Sequence, residues 1–163
     1  MKSFDSVYIS MYYGGVRKVK RFIMKYKIVD NSLTPQIYQA LHTDANFMDY
    51  DVKDIETALA HDLYDVVVYD EYDEAIGCAR VIGDSRIVFF LKDVIVRKDY
   101  QRNGVGKILV DYALKYISTV ACDNAYIGLM STRGMESFYK KFGFIERPND
   151  GLGSGMVMYY EQK

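Results

Sequence analysis

The sequence predicts a mixed α/β domain in which a long apolar strand feeds a crossover helix. Three observations carry this. Ile87–Val96 is a long run of apolar residues, of the kind expected for a strand buried on both faces. Shortly after it, Val105, Ile108, Leu109, Tyr112, Ala113, Tyr116 and Ile117 recur at i, i+3, i+4, i+7, while Lys107, Asp111 and Lys115 face away. Further strand-like runs lie on both sides of this pair, so strands and helices are interleaved rather than segregated.

Taken in order, Val7–Tyr13 is strand-like, Gly14-Gly15 offers a two-residue hairpin turn, and Phe22, Met24, Tyr26 and Ile28 alternate in a half-buried strand, Arg21–Val29. The basic cluster Arg17, Lys18, Lys20 and Arg21 reads as a solvated edge-strand face. Thr34-Pro35 starts a helix that runs to about Thr43, because the fixed φ of proline suits the first helical position. A second helix covers Val52–His61, with Ile55, Ala58 and Leu59 as its stripe, and the loop between them carries the large side chains Phe47, Met48 and Tyr50. Strands follow at Asp65–Tyr69, Ala75–Ile82 and Ile87–Val96, with turns at Glu71–Glu74 and Gly83–Ser85. After the amphipathic helix come a short strand Tyr126–Met130, a helix over Arg133–Phe142 stopped by Gly143, and two last strands, Phe144-Ile145 and Met156–Tyr160. The first 21 residues read as an N-terminal extension and 22–163 as one domain.

Composition excludes several classes. The chain has 163 residues and weighs 18.8 kDa, the size of one ordinary domain, with 50% hydrophobic and 26% charged residues. A net charge of −1 argues against gripping nucleic acid or an anionic membrane with the whole surface. The longest unbroken apolar run, Ile87–Leu91, falls far short of a membrane span of about 20 residues. Asp5 interrupts the start before an apolar core of a leader develops, so no signal peptide is expected. Cys78 and Cys122 lack both metal-ligand spacing and a disulfide-rich context, and with two histidines they predict no metal site and reduced thiols in a cytoplasmic protein. The 16 tyrosines without tryptophan fit a sheet-rich fold, or a pocket for an aromatic substrate.

The chemistry signal sits at Gln101-Arg102-Asn103-Gly104-Val105-Gly106-Lys107, between the apolar strand and the amphipathic helix. Glycines let the main chain approach a ligand, and first-turn N–H groups have no intrahelical partner, so a helix start of this kind receives an anion. Arg102 and Lys107 flank it with positive charge, and a phosphate or pyrophosphate is the natural guest. The segment lacks the GxxxxGK[ST] of a phosphate-binding loop and the GxGxxG dinucleotide fingerprint. Asp93, a lone acid inside the apolar strand on the parity of Leu91 and Ile95, is costly unless paired or functional. A general base, and a partner of an arginine such as Arg80, are both open readings of it. Neither His42 nor His61 is assigned to catalysis.

Gln101–Gly106 resembles the acetyl-CoA signature Q/R-x-x-G-x-G/A of the GCN5-related N-acetyltransferases, and Phe138-Tyr139-Lys140-Lys141-Phe142-Gly143-Phe144 resembles that family's F/L-Y-x-x-x-G-F element. The resemblance covers about Phe22 to the C-terminus and points to a small bacterial-type branch. It implies a mixed, largely antiparallel central sheet flanked by helices, and acetyl-CoA as co-substrate without a metal. Pantetheine would bond to the main chain of Val94, Ile95 and Val96, in an opening between that strand and Tyr126–Met130. The pyrophosphate would rest on Gln101, Arg102, Asn103, Gly104, Val105, Gly106 and Lys107. An amine attacks the thioester directly, an N–H near Ile95 or Val96 receives the oxyanion, and Tyr139 protonates the leaving thiolate. Tyr139 also fits the apolar stripe Met135–Phe142 as a plain core residue. Thr132 stands where the family often has a CoA-contacting Asn, and the change of residue puts that contact in doubt. Phe47 and Tyr50 would wall the acceptor site, or else seal their loop onto the core.

The expected activity is acetyl transfer to a small primary amine. A protein N-terminus or lysine as acceptor, a non-catalytic acyl-CoA sensor on the same fold, and a nucleotide-phosphate binder are the alternatives. A homodimer, the commonest closed assembly, is the expected oligomer.

Overall fold

The computed structural model describes residues 4–10 and 23–160, with side chains described from Tyr26 onward. The chain divides into two compact units, Met1–Ile127 and Gly128–Lys163. Six strands share one sheet in the order β1 to β6: Phe4–Ser10, Ile23–Asp30, Tyr64–Tyr69, Ala75–Gly83, Val88–Val96 and Tyr126–Leu129. The pairs from β1·β2 through β4·β5 are all antiparallel. β6 begins in the first unit and ends in the second. The Gly14-Gly15 turn and the cluster Arg17–Arg21 lie outside the described residues.

Helix α1 spans Pro35–Ala45. The Thr34 hydroxyl caps it by accepting the Ile37 N–H, Pro35 supplies the first-turn φ, and Asn46 in the left-handed region (φ 54°) ends it. Helix α2 spans Val52–Leu59, its start capped by the Asp51 carboxylate on the Lys53 N–H. Both pack on one face of the sheet, where Leu33, Tyr38, Leu41, Ile55, Val67, Cys78 and Ile95 form a core cluster. Helix α3, Val105–Val120, buries Val105, Ile108, Leu109, Ala113 and Ile117, as its periodicity requires, and packs against β3, β4 and β5.

The strands buried on both faces are β3 and β4, along nearly their whole length. β5 departs from the sequence expectation, because its burial alternates. The strand also carries a bulge. Arg80 pairs with Lys92 and Cys78 with Ile95, so Ala79 faces two residues, Asp93 and Val94, and Asp93 adopts φ 52°. The extra residue turns the strand over. Leu91 pairs with Val81 and Ile95 with Cys78, neighbours of opposite parity on β4, so Leu91 and Ile95 lie on opposite faces and not on the common one expected.

In the second unit helix α4 is a short Glu136–Lys140, within the longer helix expected. Phe144-Ile145 and Met156–Tyr160 form no strands. The glycine-rich stretch instead closes on itself, with Asn149 and Leu152 bridged through their main chains and Asn149 Oδ1 accepting the Gly151 and Leu152 N–H groups.

Candidate active site

The turn from β5 to α3 builds an anion cradle. After Val96 the chain makes one tight turn, Lys98–Tyr100, then passes Arg102 at φ 62° and Gly104 at φ 85° into α3. Gly104 is the N-cap of α3 and has no side chain to cap it, so the leading amides of the helix are left without a side-chain acceptor. An anion supplies what that end lacks. The turn is held from behind. Tyr100 donates to Asp70 at 2.6 Å, and Asp70 accepts the Tyr72 and Glu74 N–H groups that shape the β3–β4 turn. Those bonds hold the Asp70 carboxyl below its ordinary pKa and push Tyr100 up to about 12. Gln101 Nε2 donates to Val96 O at 3.0 Å, and Lys107, exposed, pairs along the helix with Asp111.

The end of β5 divides its main-chain groups between two directions. The Arg97 N–H donates to Ile76 O at 2.9 Å, so Arg97 faces β4. Direction alternates along a strand, so Ile95 also turns toward β4, while Val94 and Val96 turn away. Of the three residues expected to meet pantetheine, Ile95 is therefore engaged with its sheet partner Cys78, while Val94 and Val96 turn away from β4, the Val96 carbonyl being taken by Gln101 Nε2. The same alternation turns the Ile95 N–H into the sheet and the Val96 N–H away from β4. At the start of β5 the strand is tied off, Ile87 O accepting the Tyr126 N–H and Arg86 O the Cys122 N–H.

Under α1 lies a buried charge cluster. Arg80 donates twice to Asp62, both at 2.7 Å, and once to Asp93 at 2.7 Å. Lys92 Nζ reaches Asp93 from the exposed side at 3.3 Å, and His42 Nε2 lies 3.5 Å from the same carboxylate. Burial alone would raise the Asp93 pKa. His42, Lys92 and Arg80 together outweigh it and hold the carboxyl at about 2. Asp62, despite its two bonds to Arg80, is pushed up by burial. The arginine-paired geometry is thus the one present at Asp93. A carboxylate this acidic has little affinity for the proton of an ammonium ion, which speaks against Asp93 as a direct general base.

The loop bearing Phe47 and Tyr50 leaves both rings partly in solvent, 40% and 47% exposed. Its main chain is fixed to α1: Phe47 N–H donates to His42 O at 2.9 Å, Met48 O lies 3.0 Å from His42 Nδ1, and Gln39 reaches Tyr50 O. In the second unit Thr132 is exposed in the turn before α4, its carbonyl accepting the Met135 N–H. Tyr139 on α4 is half-buried, its ring edge-on to Phe138 and Phe144, and burial pushes its hydroxyl above the ordinary phenol pKa. Sequence reasoning passed over His42. Its signal was there: it follows Tyr38 by four positions and adjoins Leu41 on the buried side of α1. Among the described residues no group of three or more His, Cys, Asp or Glu side chains is placed to hold a metal ion, and no helix is long and apolar enough to cross a membrane.

Comparison with known proteins points one way. A family described as an acetyltransferase (GNAT) domain matches residues 62–146, more than half of the chain. An uncharacterised N-acetyltransferase, ycf52, of Porphyra purpurea is 29% identical over 111 residues, which cover 66% of this chain and 62% of that protein. GCN5-related N-acetyltransferase 1, chloroplastic, of Arabidopsis thaliana is 30% identical over 116 residues, 69% of this chain and 56% of that one. The chain thus spans less than two thirds of the length of these relatives. A solved structure from methicillin-resistant Staphylococcus aureus, a protein of unknown function named a probable acetyltransferase, superposes with a TM-score of 0.76 at 31% identity, over 83% of this chain and 99% of that one. A GNAT family protein of Streptococcus pneumoniae shares the fold, with a TM-score of 0.70 at 24% identity over 84% of this chain and 99% of its own.

Proposed function

Because the chain belongs to the GCN5-related N-acetyltransferase (GNAT) family, we propose that it transfers the acetyl group of acetyl-CoA to a primary amine of a small molecule, by direct attack in a ternary complex. One observation carries the reading. Behind Gly104 the leading amides of α3 lack a cap, directly after a strand whose Val94 and Val96 turn their main-chain groups away from β4. A diphosphate suits the first feature, and an amide-bearing pantetheine arm suits the second.

In this reading the neutral amine attacks the thioester carbonyl, the N–C bond forms as the C–S bond breaks, and the proton shed by nitrogen passes to solvent. The Val96 N–H faces the developing oxyanion, a role in which a fixed donor costs no reorganisation. Tyr139 protonates the departing thiolate and recovers its proton from water. Its raised pKa keeps the hydroxyl protonated at neutral pH. Asp93 serves by holding Arg80 and the kink of β5 rather than by taking the ammonium proton. Thr132 joins the CoA contacts, and Phe47 and Tyr50 bound the acceptor. Both cysteines are free, which suits a reducing, cytoplasm-like compartment.

Calorimetry with CoA, followed by thiol release from acetyl-CoA against a panel of arylalkylamines, polyamines, amino acids and short peptides, tests this directly. Binding of CoA with turnover of at least one small amine is expected. No heat of binding would overturn the cradle, and turnover of peptides alone would transfer the acceptor to proteins.

A further inference from the structure

His42 is buried to 2% exposure between the acceptor-side loop and the kink of β5, and both of its ring nitrogens look at acceptors. Nδ1 lies 3.0 Å from Met48 O, and Nε2 lies 3.5 Å from Asp93 Oδ1 with no hydrogen bond of its own. The ring stacks on Tyr38 with centroids 3.8 Å apart and meets the Phe47 ring edge-on at 5.7 Å. The His42 carbonyl also takes the Phe47 N–H. One residue therefore fixes three successive features of the loop: the Phe47 amide, the Phe47 ring and the Met48 carbonyl.

A neutral imidazole has one N–H. With that hydrogen on Nδ1 for Met48 O, Nε2 turns a lone pair toward a carboxylate. Two acceptors call for two donors. Around the ring, Arg80 pairs with both Asp62 and Asp93, and Lys92 reaches Asp93 from solvent. The remaining titratable neighbours are fixed in their neutral forms, since burial and Asp93 push up both the Tyr38 hydroxyl on α1 and the Cys78 thiol on β4. Tyr50, on the loop itself, is partly exposed.

We propose that His42 is a positioning residue whose ring, carrying hydrogen on both nitrogens, braces the Phe47–Tyr50 loop against Asp93 at the kink of β5, so that this one imidazole sets how firmly the loop holds the acceptor amine. The consequence for the amine rests on the acetyltransferase reading; the brace itself does not. Without a donor at Nε2 the contact with Asp93 would be a lone pair facing a carboxylate, and the loop would be held less firmly.

Two measurements on the full chain decide this. Ring nitrogen chemical shifts of His42 are expected to show hydrogen on both nitrogens. Amide hydrogen exchange over residues 46–51 reads how firmly the loop is held. It should be about fivefold or more faster in His42→Phe, which keeps the stacking and loses the donors, and close to wild type in His42→Gln, whose amide can donate to both acceptors. An Nε2 without hydrogen, or loop exchange unchanged in His42→Phe, overturns the brace. With an amine that is turned over, His42→Phe should raise the amine KM about tenfold while the acetyl-CoA KM stays within about twofold, and His42→Gln should restore the amine KM to near wild type. Equal rises in both KM values would reduce His42 to a general structural role and also overturn the proposal. Should no amine be turned over, the acetyltransferase reading fails, and the shifts and exchange still decide the brace.

Discussion

Asp93 and Tyr139 show how environment assigns chemistry to a side chain. A carboxyl held at about 2 in the folded protein and at about 3.9 in the unfolded chain stabilises the fold above the unfolded value, and that stabilisation is lost as pH falls from about 4 through 2. The amount is about 2.5 kcal/mol. Asp93→Asn should therefore be less stable than wild type at pH 7 by an amount of this order, and chemical denaturation series should converge as the pH approaches 2. A gap that stays constant with pH would mean the carboxylate is not charged in the fold. Tyr139→Phe removes one hydroxyl and keeps the ring. Turnover should fall by about 10²-fold or more while CoA affinity by calorimetry changes only a few-fold, because the proton is needed only as sulfur departs. The oddity of Asp93 was legible in the sequence as an acid among apolar residues. A pairing with Arg80 was one of its two open readings, and that pair is present; the approach of His42 was not legible, because it depends on the bulge that turns the strand over, and no alternation of apolar residues encodes an inserted residue.

Elements carry the next level of constraint, and two glycines show where. A Cβ at Gly77 would stand 2.7 Å from Ile95 O, a main-chain atom that cannot swing aside, with Leu109 and Val105 of α3 at 3.2 and 3.3 Å. Gly77→Ala should push β4 from β5 where the strand passes into the cradle. A loss of about 1–3 kcal/mol in urea denaturation is expected, together with weaker CoA binding. Gly104 poses a conformational problem instead: at φ 85° an L side chain is strained by about 1–2 kcal/mol. Gly104→Ala should lose that much stability and weaken CoA binding as the α3 start shifts, while binding equal to wild type would separate the cradle from this backbone geometry. Helix α3 was legible almost residue by residue because its period of 3.6 coincides with its buried side. The Thr34-Pro35 start of α1 was equally plain. β5 misled because its less buried positions, Val88, Phe90, Val94 and Val96, are apolar as well. The last two strands misled because Met156–Tyr160 has strand composition, and composition does not supply the neighbouring chain that a strand needs.

For the whole molecule, the charge balance and the cradle make a joint prediction about ligands. A net charge of −1 gives no general attraction for polyanions, so affinity for a nucleotide must come from local geometry. Two local features are on offer: the uncapped amides of α3 for a diphosphate, and the outward main-chain groups of Val94 and Val96 for an extended amide chain. A ligand that uses both should protect the fold more than a ligand that uses either. At a concentration of about 100 times its dissociation constant a ligand adds about 2.7 kcal/mol, which in a chain of this size raises Tm by several degrees. CoA should give a shift of that kind, and pantetheine without the diphosphate, or ATP without pantetheine, should each give much less at the same concentration. Salt separates the two contributions further. Raising ionic strength screens the phosphate contact and should shrink the CoA shift, leaving the small pantetheine shift nearly unchanged. Protection by ATP equal to that by CoA would mean that Val94 and Val96 recognise nothing, and the site would then be a phosphate cradle alone.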